Sequence, residues 1–304
     1  MKKQPLKWNK AIVKKMLGGW AIMLPSLILF AFFVWAPLLG NIKLSFYETS
    51  GFDAIKFNWF QNYIDVFNDP KFIAALGNTF KYLFWSIIIG FFIPIFLGLV
   101  LSEVVHAKGF FRIGLYFPSI LSGIAVGILW TYVFDPNTHS MLNSVFQSIG
   151  IEPSKFLDDS KLVIPLIVVT MTWKGAGATV LIYLSALQTV DNSLYEAARL
   201  DGCGLFNRLR YVTLPHLWPN IKTLFILQII SVFQVFYEPL VMTGGGPNNS
   251  SLSLMQLSYN YAFDSTTQAG YSAATGVILA VIIIIITIIY FWVSSKQDKK
   301  GKVA

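Results

Sequence analysis

Val281-Ile282-Ile283-Ile284-Ile285-Ile286-Thr287-Ile288-Ile289 contains no charged residue and no proline. The apolar stretch around it reaches from about 272 to 294. A bilayer core about 30 Å thick needs about 20 apolar residues as helix. Inside lipid each backbone N–H and C=O must find a partner away from water, so only helices or closed barrels span. Barrel strands alternate apolar and polar residues, and this run does not alternate. It reads as a lipid-facing helix.

Working outward, five further stretches qualify: 20–40, 79–103, 113–135, 162–187 and 214–240. The reading is an all-α polytopic membrane protein with six transmembrane helices. The chain is 55% hydrophobic and only 12% charged, where soluble domains carry about a quarter charged residues. Its net charge of +8 would suit nucleic acid, but the basic residues gather at chain ends and short loops. Membrane orientation explains that placement better. One cysteine, Cys203, excludes an intrachain disulfide. The first run continues to about Gly40, longer than a signal-peptide core, so it reads as an uncleaved span.

Lysine and arginine placement sets the orientation. The segments 1–19, 104–112, 188–213 and 295–304 together hold 15 Lys or Arg. The opposite set holds fewer although its loops are longer. The tails 1–19 and 295–304 and the 188–213 loop are therefore expected on the cytoplasmic side, with 41–78 as an outer loop. The 241–271 loop, without Lys or Arg, is expected outside. Gly123 and Gly127 form a small-xxx-small pair that permits close helix approach. Pro94, Pro118, Pro165 and Pro239 are expected to kink or end spans, or to mark broken helices around a path.

Nothing in the chain supplies energy or catalysis. A phosphate loop needs glycine-rich backbone ending in Lys and Ser or Thr, whereas Gly301-Lys302 is followed by Val303. Gly175-Ala176-Gly177 and Gly202-Cys203-Gly204 lack the third glycine of a dinucleotide fingerprint. His106, His139 and His216 have no metal-ligand spacing, so no catalytic residue, metal site or bound cofactor is expected. Ion-coupled carriers place acids at mid-membrane. Here Glu103 and Glu238 lie only near span ends. A separate ATPase is the better energy source.

The loop Leu187 to Gly202 reads LQTVDNSLYEAARLDG. Ser193 with Glu196 three residues on predicts a capping box opening a helix. Gly202 permits a turn. A second short helix is expected through Leu205, Phe206 and Leu209, and Leu214-Pro215 is expected to start the fifth span. An exposed amphipathic helix of this kind could rest on lipid headgroups or meet a protein.

The same residues resemble those of binding-protein-dependent ABC importer permeases. That family carries E-A-A, three residues, G, nine residues, an aliphatic residue, any residue, then L-P. Here stand Glu196-Ala197-Ala198, Gly202, Val212 and Leu214-Pro215, with valine where isoleucine is commonest. Met242-Thr243-Gly244-Gly245-Gly246-Pro247, Tyr261-Ala262-Phe263, Gly270 to Ala274 and Leu184 to Gln188 are similar to the carbohydrate branch, including the first maltose permease and glycerol-phosphate-type permeases. The resemblance implies five core helices within 79–294 and a peripheral first helix. It implies that the loop is a coupling helix seated on a cytoplasmic ATPase dimer, which uses ATP and Mg. It also implies a second related permease, an external solute-binding protein facing Gly244 to Pro247, and a bacterial plasma-membrane location.

Sugars are held by aromatic faces and hydroxyl-satisfying side chains. Trp173, Lys174 and Gly177 in the fourth span, and Phe233, Gln234, Tyr237 and Glu238 in the fifth, are the candidate path. Lys174 is costly in mid-span and should face a wet cavity or a partner charge. Snorkelling or pairing with another subunit remains the plain alternative. The functional reading is an ABC importer permease for a sugar or oligosaccharide. Its rivals are an ABC permease for an amino acid or phosphate ester, and an ion-coupled carrier.

Overall fold

A computed structural model describes residues 10–104, 107–264 and 266–300. His106 and the outermost residues of both expected tails lie outside them. The chain opens with α1 (Lys10–Phe30), which runs through a π turn (Ala31–Trp35) into α2 (Ala36–Leu44). Its most apolar window buries none of its residues, so this first span stands apart from the core. Only its far end packs, where α2 meets the last helix.

A short antiparallel hairpin follows, β1 (Tyr47–Ser50) and β2 (Asp53–Phe57), with Tyr47 opposite Phe57. Gly51 turns it at φ +59, a conformation glycine adopts without penalty. Two pairing strands are an addition to the all-helical expectation. α3 (Gln61–Asn68) and α4 (Pro70–Trp85) come next. Asp69 caps α4 by accepting from Lys71 N–H at 2.8 Å. α4 passes through a π turn (Ser86–Phe91) into α5 (Phe92–Glu103). Pro94 sits just after that turn and cannot donate to the ladder.

The third span is not one helix. α6 (Lys108–Ile120) and α7 (Gly123–Val133) meet at a break and are bent by 100°. Pro118 lies in the last turn of α6, where the helix stops. α8 (Met141–Ser148) leads to α9 (Val163–Leu187), an uninterrupted and half-buried span. Beyond it lie α10 (Asn192–Leu200), α11 (Leu205–Arg208), a π turn (Leu209–Thr213) and α12 (Leu214–Phe233). α13 (Tyr237–Thr243) bends from α12 by 45°. α14 (Leu254–Phe263) and α15 (Ala269–Lys300) end the fold. Among the described residues, four helices are long and apolar enough to cross a membrane, or up to six if each bent pair counts as one.

α9 is the central post. A methyl on Gly177 would stand 1.8 Å from the Leu115 carbonyl oxygen, so α6 and α9 touch backbone to backbone. A methyl on Gly98 would stand 3.2 Å from Tyr183 Cβ, which places α5 almost as close. Gly127 meets Val241 of α13 at 3.0 Å in the same sense. One core cluster gathers Phe72, Phe233, Leu254 and Leu257 between α4, α12 and α14. Another gathers Tyr82, Ile167, Val168 and Val232. Tyr261 donates to Asp69, just past the end of α3, and Tyr271 to Asp65 within it, fastening α14 and α15 to that helix.

Candidate functional site

The 188–215 segment crosses the end of the bundle where α5 and α9 finish. α10 is capped by Asp191, whose carboxylate accepts the Ser193 N–H at 2.9 Å. The expected capping box from Ser193 is therefore displaced by two residues. Asp191 is the stronger acceptor, and its extended backbone (φ −65, ψ 125) is the one a cap needs. That bond from the Ser193 N–H, with a contribution from its side chain, holds the Asp191 carboxyl below its usual range.

At the other end Gly202 N–H bonds the Arg199 carbonyl at 3.1 Å and Cys203 N–H bonds Ala198 at 2.9 Å. That is a Schellman closure, which requires a left-handed residue at the glycine. Gly202 has φ +74, and nothing lies within 4 Å of where a Cβ would point. The constraint is the backbone, not the space.

Leu214-Pro215 does not start the fifth span as the sequence reading expects. Helix runs unbroken from Leu205 to Phe233, with the π turn just ahead of Pro215. The wider turn spares the ladder a bond that proline cannot make.

The segment presents an apolar ridge to the outside. Leu200 is 89% exposed, Phe206 74% and Tyr211 67%. Leu194 and Leu205 are also exposed. Glu196 and Ala197 point outward with them, Leu214 and Pro215 lie exposed beyond, and Val212 is half-buried. Ala198 alone of the motif turns inward and is buried. Thr189 and His216 approach at 3.0 Å, tying the segment to α12. A cavity of about 450 Å³ opens beside the ridge, and the exposed Glu196 shares its wall with Glu103, Arg112, Tyr195, Arg199 and Arg208.

A second cavity of about 250 Å³ lies mid-span between α4–α5, α9 and α12. Its polar wall is Ser86, Thr172, Thr179, Gln228 and Ser231, beside Phe91 and Tyr183, and no charged side chain lines it. Gln228 Nε2 donates to the Ser86 carbonyl at 2.8 Å, at the π turn. The signal was available in the sequence. Thr172, Thr179 and Tyr183, like Gln228 and Ser231, recur at helical spacing on one face.

None of the seven expected path residues lines that cavity. Phe233 is fully buried and meets Phe80 edge-on. Trp173 packs against Trp130 at 5.6 Å. Gly177 is the crossing point with α6. Lys174 sits at the α6–α7 break, its Nζ 3.2 Å from where a methyl on Gly123 would stand. Gln234 and Tyr237 are exposed, and Glu238 is half-buried. Lys174 and Glu238 form no ion pair; the one described ion pair is Glu103–Arg208.

The glycine run is pinned. Gly244 and Gly245 take φ +60 and +92. Thr243 Oγ1 and Ser251 Oγ lie 2.7 Å apart across the loop. Asn78 donates to the Asn249 carbonyl, and Tyr82 to that of Ser251. Asn248 and Asn249, past Pro247, form the exposed tip.

A family profile described as "Binding-protein-dependent transport system inner membrane component" matches residues 82–299. The multiple sugar-binding transport system permease protein MsmF of Streptococcus mutans is 34% identical over 292 residues, 91% of this chain and 95% of its own. The lactose transport system permease protein LacF of Rhizobium radiobacter is 30% identical over 285 residues, covering 92% and 95%. A crystal structure of a bacterial alginate ABC transporter in complex with alginate pentasaccharide-bound periplasmic protein has a chain of the same fold. It aligns with a TM-score of 0.80 at 24% identity, over 92% of this chain and 94% of that one.

Proposed function

Since the chain belongs to the family of binding-protein-dependent transport system inner membrane components, the permease subunits of ABC importers, we propose that it carries a sugar or oligosaccharide and takes its drive at the Glu196 to Pro215 ridge. The relatives named for multiple sugars and for lactose support the cargo. So does the mid-span cavity, whose hydroxyl and amide groups match a hydroxyl-rich, uncharged solute. An unpaired carboxylate or ammonium would be costly there.

The observation that carries the docking role is the ridge itself. Leu200, Phe206 and Tyr211 lie exposed around a capped helix that turns Glu196 and Ala197 outward. Rings set beside a few charges suit a protein interface better than open water. The partner is an ATPase dimer that hydrolyses ATP with Mg. One ridge per chain calls for a second, related permease to seat the second ATPase. Gly244 to Pro247 and the Asn248–Asn249 tip face an external solute-binding protein. Both termini and the ridge lie on the cytoplasmic side of a bacterial plasma membrane, a reading that the placement of the basic residues supports.

The test replaces Glu196 with Lys and, separately, Gly202 with Asp. Each variant should insert into the membrane normally, lose co-purifying ATPase and lose uptake. Normal uptake in both would contradict the docking role. Retained membrane association with lost ATPase separates it from a helix that merely rests on headgroups.

A further inference from the structure

The ion pair at the foot of the ridge joins elements that the chain does not join. Arg208 Nη2 donates to Glu103 Oε2 at 2.8 Å. The Arg208 side chain is 11% exposed and that of Glu103 45%. The same guanidinium lies 5.9 Å from the centre of the Tyr195 ring. The Tyr195 hydroxyl is 3.2 Å from Thr213 Oγ1. Three elements thus meet at the Arg208 side chain: the end of α5, α10 one residue before Glu196, and α11 itself; through Tyr195 the cluster also reaches Thr213, just ahead of α12.

The ridge reaches two other spans through the backbone. Gln188 to Asp191 ties α10 to α9, and the π turn ties α11 to α12. α5 has no such route, because after Glu103 the chain leaves toward α6. Yet α5 and the π turn before it carry Ser86, Phe91 and Pro94 on the cavity wall. Motion of the ridge must reach that wall through packing or through Arg208. Arginine suits the task. Its planar fork fixes direction, where lysine would offer a swivelling point charge. A largely buried guanidinium stripped of its partner is left uncompensated, which favours keeping the pair while the elements move.

We propose that Arg208 is a positioning residue: the Glu103–Arg208 pair, braced by Tyr195, is the strut that carries displacement of the docking ridge into α5 and the cavity wall. The proposal rests on the docking role of the ridge given above. The strut moves as a unit through the cycle rather than opening.

The test uses the full complex in proteoliposomes and reads uptake per ATP hydrolysed. Glu103→Gln and Arg208→Gln should each lower that ratio at least severalfold while the ATPase still co-purifies. The reversed pair E103R/R208E should restore much of it. A merely structural role would lower complex yield and leave the ratio of the surviving complex unchanged, which would overturn the proposal. So would a wild-type ratio in both single variants. A second measurement does not depend on single-variant stability. In a C203A background, E103C and R208C are joined by a short thiol cross-linker. The strut predicts that the linked complex keeps turning over. Arrest by the link, reversed on its removal, would mean the two ends must separate and would overturn the proposal. Absence of any ATPase from the unmodified complex would instead refute the docking role.

Discussion

At the residue scale, two glycines matter for opposite reasons. Gly202 has open space around it and a left-handed backbone, whereas Gly177 has ordinary backbone and no space. Adding one methyl at Gly177 drives it into the Leu115 carbonyl, and a backbone cannot swing aside as a side chain can. Overpacking of this kind costs about 1–3 kcal/mol. Gly177→Ala should lower the thermal midpoint of the detergent-solubilised protein clearly. Gly175→Ala, with nothing within 4 Å, should leave the midpoint near the wild type. Equal midpoints would mean that α6 and α9 do not approach as described. The sequence marks the Gly175-Ala176-Gly177 cluster but not its purpose, since a glycine at a crossing and one beside a path look alike in one dimension. Lys174 is ambiguous in one dimension for a related reason. Its cost in a span predicts a polar neighbourhood, and the α6–α7 break is where it was placed.

At the element scale, apolar length found the spans, because a helix in lipid leaves little choice of backbone. Direction was not legible. Hydropathy over 113–135 is the same whether the helix is straight or bent by 100° between Ile120 and Gly123. The cap of α10 was legible as a cap but misplaced, because Asp191 and Ser193 both precede Glu196. A clear experiment follows. Asp191→Asn keeps a good capping side chain and should leave ATPase retention close to wild type. Asp191→Ala should weaken it severalfold. Equal retention in both would remove the cap from the docking surface. The pH dependence has one sign. The Asp191 carboxyl is held below its usual range, so its contribution is complete above the ordinary aspartate pKa and is lost only as pH falls through the lowered value. Docking should be insensitive to this group around neutrality and weaken through it only in acid.

At the scale of the whole molecule, this chain is one part of a machine. The first helix buries no side chain in its membrane window, and the ridge leaves large apolar side chains uncovered. The mid-span cavity, at about 250 Å³, has room for about one sugar unit rather than a long oligosaccharide, if drug-sized ligands need about 300–1,000 Å³. Gln228→Leu removes the amide that lines the cavity and bonds the Ser86 carbonyl. It should reduce uptake while leaving ATPase retention intact, because the ridge is untouched. Unchanged uptake would place the path elsewhere.

The central claim is that the Glu196 to Pro215 ridge couples this chain to a separate ATPase. The most direct measurement is affinity purification of the chain from native membranes in mild detergent, with ATPase activity and subunit content read on the eluate. An ATP-binding cassette subunit should appear in the eluate, active and lost on Glu196→Lys. An eluate without any ATPase, or one that keeps it unchanged in that variant, would contradict a coupling role for the ridge.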